Sequence, residues 1–289
     1  MAVLRNEFIS IEVKNLGAEL ISLKKTGDDF EYIWSGRPEF WTGQSPVLFP
    51  IVGFLNNGST IINGEEYRFA NHGFARRHEF ETVCADTEKL IFALRSNAST
   101  LKLYPFQFEL RLIYTLDKNS VKISYEVENL SDEDIYFQLG THPGFNCPMV
   151  AGTNLSDYFL EFSEAETARR YFINGEGLID LQRTELLLNN TRTLPLSHEL
   201  FHDGALILKE LKSNSVVLKT ANQHRYIRLD WKNFPYLGIW QPKEAPFVCI
   251  EPWHGITETE NCPVEFKDKE KIVCLPEHEV FCAEINIGV

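Results

Sequence analysis

The sequence has no long apolar run, no excess of positive charge and no closely spaced cysteine pair. A membrane-spanning helix needs roughly 20 consecutive apolar residues, and no run approaches that length. The formal net charge of −13 disfavours nucleic acid and anionic membranes as partners, because both would be repelled by the mean field of the chain. The opening residues also lack the charged and then apolar order of a signal peptide. We therefore expect a cytoplasmic protein, monomeric or homodimeric, that binds an uncharged or locally captured small molecule.

The six cysteines form no CxxC pair. Several of them lie inside apolar segments such as FVCIE and IVCLP, where a free thiol packs like a small apolar side chain. This pattern favours buried free thiols over a disulfide framework or a metal site built from cysteines.

Short segments with a two-residue apolar alternation recur along the chain, separated by clusters of turn residues. This pattern predicts hairpins of an antiparallel all-β protein, and the clearest hairpin is LRLIYTLDKNSVKISYEVEN. Helices are expected only in two short pieces, PEFW near residue 39 and SEAETARRYF near residue 163. Because no linker or repeat is visible, we predict one domain, residues 1–289, built from two large packed sheets, with a barrel as the alternative.

A carboxylate interrupts a strand-like run in APFVCIEPWHG, residues 245–255. The four residues before Glu251 are ones that a sheet core accepts, and Pro252 cannot supply a ladder donor. A buried carboxylate is costly unless it is hydrogen-bonded or useful, so Glu251 is a candidate functional residue.

His142 occupies a comparable position in FQLGTHPGFNCP, residues 137–148. It follows a predicted strand and precedes a Pro-Gly pair that must turn the chain sharply. This placement holds an imidazole at a strand end, and the neighbouring Phe145 and Asn146 suit a polyhydroxylated ligand.

Two further stretches carry polar residues that have ordinary explanations as well. ANHGFARRHEF, residues 70–80, contains His72 and Arg76, and it also fits a polar loop between strands. Asp203 in HDGALILKE lies just before an apolar strand, where a turn carboxylate is common. A glutamate and one or two histidines at strand ends suit general acid–base catalysis on a sugar, and they equally suit a cupin-like metal site.

Six blocks of the sequence, taken in order, resemble the aldose 1-epimerases, or galactose mutarotases, and specifically their LacX-like branch. The blocks are LFPIVG at 48–53, NHGFAR at 71–76, THPGFN at 141–146, FHDGALILK at 201–209, FPYLGIW at 234–240 and FVCIEPWHG at 247–255. The resemblance implies a β-supersandwich and interconversion of the α and β anomers of an aldose without a metal or any other cofactor.

The resemblance also assigns a role to each candidate residue. It implies that Glu251 is the general base, His142 the general acid, His72 a ligand near the sugar ring oxygen, Asp203 a ligand to sugar hydroxyls, and Arg76, Asn146 and Trp240 further substrate contacts. We expect the nearby carboxylate to raise the pKa of His142 and so to help it act as an acid.

One departure from the pattern bears on the substrate. Many relatives carry an arginine directly after the FPIVG-like block, where this chain has Phe54. The lost guanidinium favours a neutral aldose over a phosphorylated one. The alternatives are a hexose-6-phosphate 1-epimerase, a carbohydrate-binding or regulatory protein without turnover, and the cupin-type metal enzyme.

Overall fold

Antiparallel strands build almost all of the regular structure in the computed structural model, which describes residues 1–221 and 225–289. The strands are β1 Ala2–Arg5, β2 Ile9–Lys14, β3 Glu19–Lys25, β4 Val47–Leu48, β5 Ser59–Ile62, β6 Glu65–Arg68, β7 Glu81–Ala85, β8 Lys89–Arg95, β9 Phe108–Asp117, β10 Ser120–Asn129, β11 Ile135–Phe137, β12 Leu139–Thr141, β13 Gly144–Asn146, β14 Tyr158–Ile173, β15 Ile179–Pro195, β16 Leu206–Lys209, β17 Ser215–Thr220, β18 Tyr226–Lys232, β19 Tyr236–Trp240, β20 Phe247–His254, β21 Val273–Leu275 and β22 Val280–Gly288. Short 3-10 turns span Asn56–Gly58, Ala75–Arg77, Leu155–Asp157, Glu199–Phe201 and Phe266–Asp268. Within the described residues there is no α-helix, and hence none long and apolar enough to cross a membrane.

Fifteen strands are joined by hydrogen bonds into one sheet. Its path runs β4-β12-β20-β19-β16-β14-β17-β18-β22-β10-β9-β8-β7, with β13 added to β20 and β15 added to β14. Smaller sheets are formed by β1-β2-β3, β5-β6 and β11-β21. Because strands twist, an open sheet of more than about ten strands curls or folds into two packed layers.

The core lies between two such layers. The Tyr125 hydroxyl on β10 donates to Thr141 Oγ1 on β12, at 3.0 Å, although the two strands are far apart along the path. Phe49, next to β4, packs against Phe108 on β9 with ring centroids 5.0 Å apart. These contacts join opposite ends of the path across the core. The prediction of an all-β supersandwich is therefore confirmed, with both layers belonging to one continuous hydrogen-bonded sheet.

The strongest sequence pattern gives the longest regular hairpin. β9 and β10 pair from Phe108 with Asn129 to Asp117 with Ser120, so the predicted hairpin is confirmed. Alternate residues of β10 are buried, beginning at Val121, as the two-residue apolar pattern requires.

Both helix predictions are wrong. Residues 163–172, predicted as helical, lie within β14, and PEFW forms a turn. Alternate residues of β14 are buried, but two of the buried residues are Glu166 and Arg170. The sequence of β14 therefore lacks the regular apolar alternation that would have predicted a strand. Glu166 is satisfied by the Ser213 backbone N–H, which donates to it at 2.7 Å.

All six cysteines are free thiols, but the prediction that they are buried is only partly right. Cys147 and Cys249 are buried, whereas Cys274 and Cys282 are exposed. Cys274 points away from the core because its neighbours in β21, Val273 and Leu275, occupy the buried positions on either side of it.

Candidate active site

His142 and Glu251 face each other across neighbouring strands. β12 and β13 pair with the same edge of β20 in one register, so His142, in the connection between them, lies opposite Glu251. The flanking pairs are Gly140 with Trp253 and Gly144 with Cys249. His142 Nε2 lies 3.2 Å from Glu251 Oε2. Two residues far apart in sequence are thus fixed as a pair by strand register.

Both residues line a cavity of about 360 Å³. Of the buried side-chain polar atoms that have no hydrogen-bond partner in the described residues, four belong to cavity residues. They are Asn71 Oδ1, His142 Nδ1, Glu251 Oε2 and Trp253 Nε1. His142 Nε2 and the Trp253 side chain both lie beside the Glu251 carboxyl group, but neither is aligned well enough for a regular hydrogen bond to Oε2. Buried polar atoms are normally paired, so their clustering indicates a place for a ligand rich in hydrogen-bonding groups.

Burial governs the charge of the pair. Burial raises the pKa of the Glu251 carboxyl well above its ordinary value and lowers the pKa of the His142 imidazole well below its ordinary value. The expectation that the carboxylate raises the pKa of His142 is therefore wrong for the sugar-free site. The reason is that Glu251 is itself buried, and a protonated carboxyl group exerts no coulombic attraction on the imidazole. Both shifts favour a neutral pair that shares one titratable proton in addition to the ring N–H of the neutral imidazole.

His72 is held as a neutral hydrogen-bond donor. Its backbone adopts φ 62°, its N–H donates to the Gly53 carbonyl at 2.9 Å, and its Nδ1 accepts from the Gly53 N–H at 3.0 Å. Since Nδ1 accepts, the ring proton lies on Nε2. Burial, His142 and two arginines lower the pKa of His72, which keeps the ring uncharged. His72 can therefore donate to a ligand oxygen through Nε2.

Arg76 places a cation in the cavity wall. Its Nη2 donates to the Asn71 carbonyl at 2.9 Å, and the described residues give it no salt bridge. Burial and the neighbouring Arg77 lower the pKa of Arg76 to about 10, so the guanidinium keeps its charge at neutral pH.

Tryptophans enclose the His142 ring. Trp41 stacks on it with centroids 4.7 Å apart, and Trp240 meets it edge-on at 5.6 Å. Trp253 lies near the pair because glycines in the adjacent strands leave room for its indole. A Cβ at Gly238 would lie 2.4 Å from this ring, and one at Gly140 would lie 2.8 Å from it.

The aldose 1-epimerase family model matches residues 1–271 of the chain. The chain belongs to the aldose 1-epimerase family. Protein LacX, plasmid, of Lactococcus lactis subsp. lactis is 40% identical over 263 residues, which cover 88% of this chain and 87% of that protein. The resemblance to this family seen in the sequence is thereby confirmed.

Solved structures give the same result. The galactose mutarotase related enzyme from Lactobacillus acidophilus superposes with a TM-score of 0.93 at 33% identity, covering 99% of this chain and 96% of that chain. A galactose mutarotase-like protein from Lactobacillus casei gives a TM-score of 0.93 at 29% identity, covering 100% and 99% of the two chains.

Five of the seven residues predicted for the functional site line the cavity. They are His72, Arg76, His142, Trp240 and Glu251. Their proximity is a fact of the geometry, and their roles remain predictions.

Asn146 and Asp203 do not line the cavity. Asn146 Nδ2 donates to the backbone carbonyls of Glu31 at 2.8 Å and Ile33 at 2.9 Å, so its amide fastens β13 to another segment. The half-exposed Asp203 carboxylate pairs with Arg183 at 2.8 Å, and the chain reaches the cavity wall only at the next residue, Gly204. Both side chains have protein partners, and the sugar contacts predicted for them stay predictions.

Sequence reasoning missed Trp41, Asn71 and Trp253 as cavity residues. Trp253 could have been found, because it lies two residues after Glu251 in one strand and so shares its face of the sheet. Trp41 carried no such signal, since it reaches His142 from a separate loop.

A third donor lies close to the facing pair. Ligand atoms of His142, Cys249 and Glu251 all lie within 4.8 Å of one another, and all three residues are buried. This combination is visible only in the structure, because the histidine comes from a different strand connection.

Proposed function

We propose that the protein is an isomerase that interconverts the α and β anomers of a free hexose by acid–base ring opening. The observation that carries this proposal is the His142–Glu251 pair, 3.2 Å apart in the wall of a cavity with several unpartnered polar atoms. One acid and one base on a sugar-sized cavity are what ring opening needs.

In the proposed reaction, the Glu251 carboxylate takes the proton of the C1 hydroxyl while the His142 imidazolium gives a proton to the ring oxygen. The bond between C1 and the ring oxygen breaks and leaves an open-chain aldehyde. Rotation about the C1–C2 bond followed by the reverse steps gives either anomer. His72 donates through Nε2 to a sugar oxygen, and the tryptophans around His142 limit access of water.

The shared titratable proton of the pair supplies the charge state that the reaction needs. In the sugar-free site burial favours a protonated Glu251 and a neutral His142. Transfer of that proton across the 3.2 Å separation gives the carboxylate and the imidazolium together. The pair can thus become base and acid without exchanging a proton with solvent.

The direct test is the rate at which freshly dissolved α-D-glucose or α-D-galactose reaches anomeric equilibrium, followed by polarimetry or NMR. We expect the protein to accelerate equilibration well beyond the spontaneous rate. A folded protein that binds the sugar but leaves the rate unchanged would favour the binding or regulatory alternative.

The pH dependence should be a broad bell. Adding a second proton to the pair creates a buried cation, so the acid limb should lie well below the ordinary pKa of histidine. Removing the shared titratable proton creates a buried anion, so the alkaline limb should lie well above the ordinary pKa of glutamate. The plateau between them belongs to the pair as a unit. A kcat/KM profile that peaks narrowly between about 4.3 and 6.5, the ordinary values, would contradict this account.

Phe54 bears on the choice between a free and a phosphorylated sugar. It lines the cavity, its ring packs on Gly177, and its backbone N–H donates to Thr257 Oγ1 at 2.9 Å. Thr257 Oγ1 in turn donates to the Gly177 carbonyl at 2.7 Å, so the aromatic side chain is held at a defined place in the wall. An apolar side chain here offers nothing to a phosphate.

We expect kcat/KM for free glucose or galactose to exceed the value for the 6-phosphate. The cation of Arg76 favours the opposite preference, which makes hexose-6-phosphate epimerisation the second candidate. Phe54→Arg should raise kcat/KM for the phosphate relative to the free sugar, whereas Phe54→Leu, as the matched control, should not. A wild-type preference for the phosphate of about tenfold, near 1.4 kcal/mol, would reverse the ranking.

A further inference from the structure

A buried sulfur lies next to the proposed acid and base, behind the residues that line the cavity. Cys249 and Glu251 are alternate residues of β20 and therefore point to the same face of the sheet, and His142 lies opposite Glu251. Their ligand atoms lie within 4.8 Å of one another. One nitrogen, one sulfur and one carboxylate oxygen are a donor set that Zn²⁺ accepts in proteins.

The spacing of the donors is close to that of ligands on one ion. Tetrahedral zinc with bonds of about 2.0–2.3 Å keeps its ligand atoms about 3.3–3.6 Å apart. His142 Nε2 and Glu251 Oε2 are already 3.2 Å apart. The Cys249 sulfur completes the set only by approaching by up to about 1.5 Å, which requires a movement of this packed side chain when the ion binds.

The polar atoms and the charges of the donors are both compatible with a bound cation. Glu251 Oε2 is buried with no neighbour in hydrogen-bond geometry, although His142 Nε2 lies 3.2 Å from it, and a cation between them would contact both atoms. A thiolate and a carboxylate would also balance the charge of a dication, so the loaded site would be neutral in its buried setting. A bound metal would displace the protons of the thiol and the carboxyl group to solvent.

We propose that His142, Cys249 and Glu251 form a binding site for a thiophilic divalent cation such as Zn²⁺, and that the loaded site cannot act on a sugar. The second half rests on the proposed function: the metal takes the same lone pairs that would accept and deliver the reaction's protons. The cation is thus an inhibitor and not a cofactor. This separates the proposal from the cupin-type alternative, in which removing the metal abolishes activity.

Metal binding is tested without reference to activity. Metal-free protein is titrated with Co²⁺, and we expect one equivalent to produce a thiolate-to-cobalt charge-transfer band that Zn²⁺ abolishes. Cys249→Ser and Cys249→Ala should remove the band and weaken Zn²⁺ binding, measured against a chromophoric chelator, by at least about tenfold. Cys147→Ser is the matched control, because Cys147 is also a buried free thiol but lies outside the donor set.

The site is disproved if the wild-type protein gives no band, if the band survives in both folded Cys249 variants, or if Cys147→Ser removes it equally. Circular dichroism verifies that each variant is folded. Serine and alanine are both used at position 249 so that the test can still be made if one of the two variants does not fold.

Inhibition is measured separately. Substoichiometric Zn²⁺ should lower the anomerisation rate in proportion to occupancy, and a chelator should restore it. Activation by Zn²⁺, or loss of activity after chelation, would overturn the inhibitory role. If the protein proves not to catalyse anomerisation at all, the cobalt band still decides whether the site exists.

Discussion

Glu251→Gln should lower kcat for anomerisation by roughly 10²- to 10⁴-fold, which is the usual contribution of a positioned base. The amide has the shape of the carboxyl group and can still hydrogen-bond the C1 hydroxyl, but it cannot accept its proton. Sugar affinity should therefore change little. Stability should change little as well, because the buried wild-type side chain already favours its neutral form. Polarimetric rates, calorimetric binding and circular dichroism measure these three quantities.

The control for this substitution is Glu251→Asp, which keeps a carboxylate but withdraws it by one methylene group. It should retain more activity than Glu251→Gln, because a displaced base still accepts a proton. A folded Glu251→Gln protein that keeps more than about a tenth of wild-type kcat would remove Glu251 from the role of base. The carboxyl group would then be structural, and the binding-protein alternative would gain support.

His142→Asn should depress kcat by a similar factor, because asparagine offers no titrating donor for the ring oxygen. The double variant with Glu251→Gln tests whether the two residues act together. In the proposed reaction both groups share one titratable proton and act on one ring-opening step, so the combined loss should be much smaller than the product of the single losses. Losses that multiply would show two independent roles.

A second histidine offers a matched control for His142→Asn. The His198 ring nitrogen lies 2.8 Å from Gln241 Oε1 and the side chain is absent from the cavity lining. His198→Asn should leave kcat within about twofold of wild type. A comparable loss at both positions would mean that the effect at His142 comes from general destabilisation.

Local physics made much of the fold predictable. The two-residue alternation in β9 and β10 reflects one buried and one exposed face, and this property belongs to the strand itself. The same rule failed in β14, where Glu166 and Arg170 occupy buried positions. A charged residue is predicted to be exposed when its hydrogen-bond partners are unknown. The partners of Glu166 are the backbone N–H groups of residues 212 and 213, more than forty positions away.

The candidate site was also predictable only in part. The sequence marked Glu251 and His142 by their chemistry, and the ordered blocks marked the family. Asn146 also looked like a ligand for sugar, but its amide binds two backbone carbonyls from a distant segment. Side-chain type shows what a residue can do, whereas its partners determine what it does.

By itself the sequence determined an all-β chain of this family with a carboxylate and an imidazole at strand ends. Only the tertiary structure decided that the two groups face each other, because β12 and β13 must share one register with β20. It also decided the sign of the pKa shift of His142, which lies opposite to the one expected from a neighbouring carboxylate. Burial is a property of the whole packed sheet, and it removes solvent from both members of the pair at once.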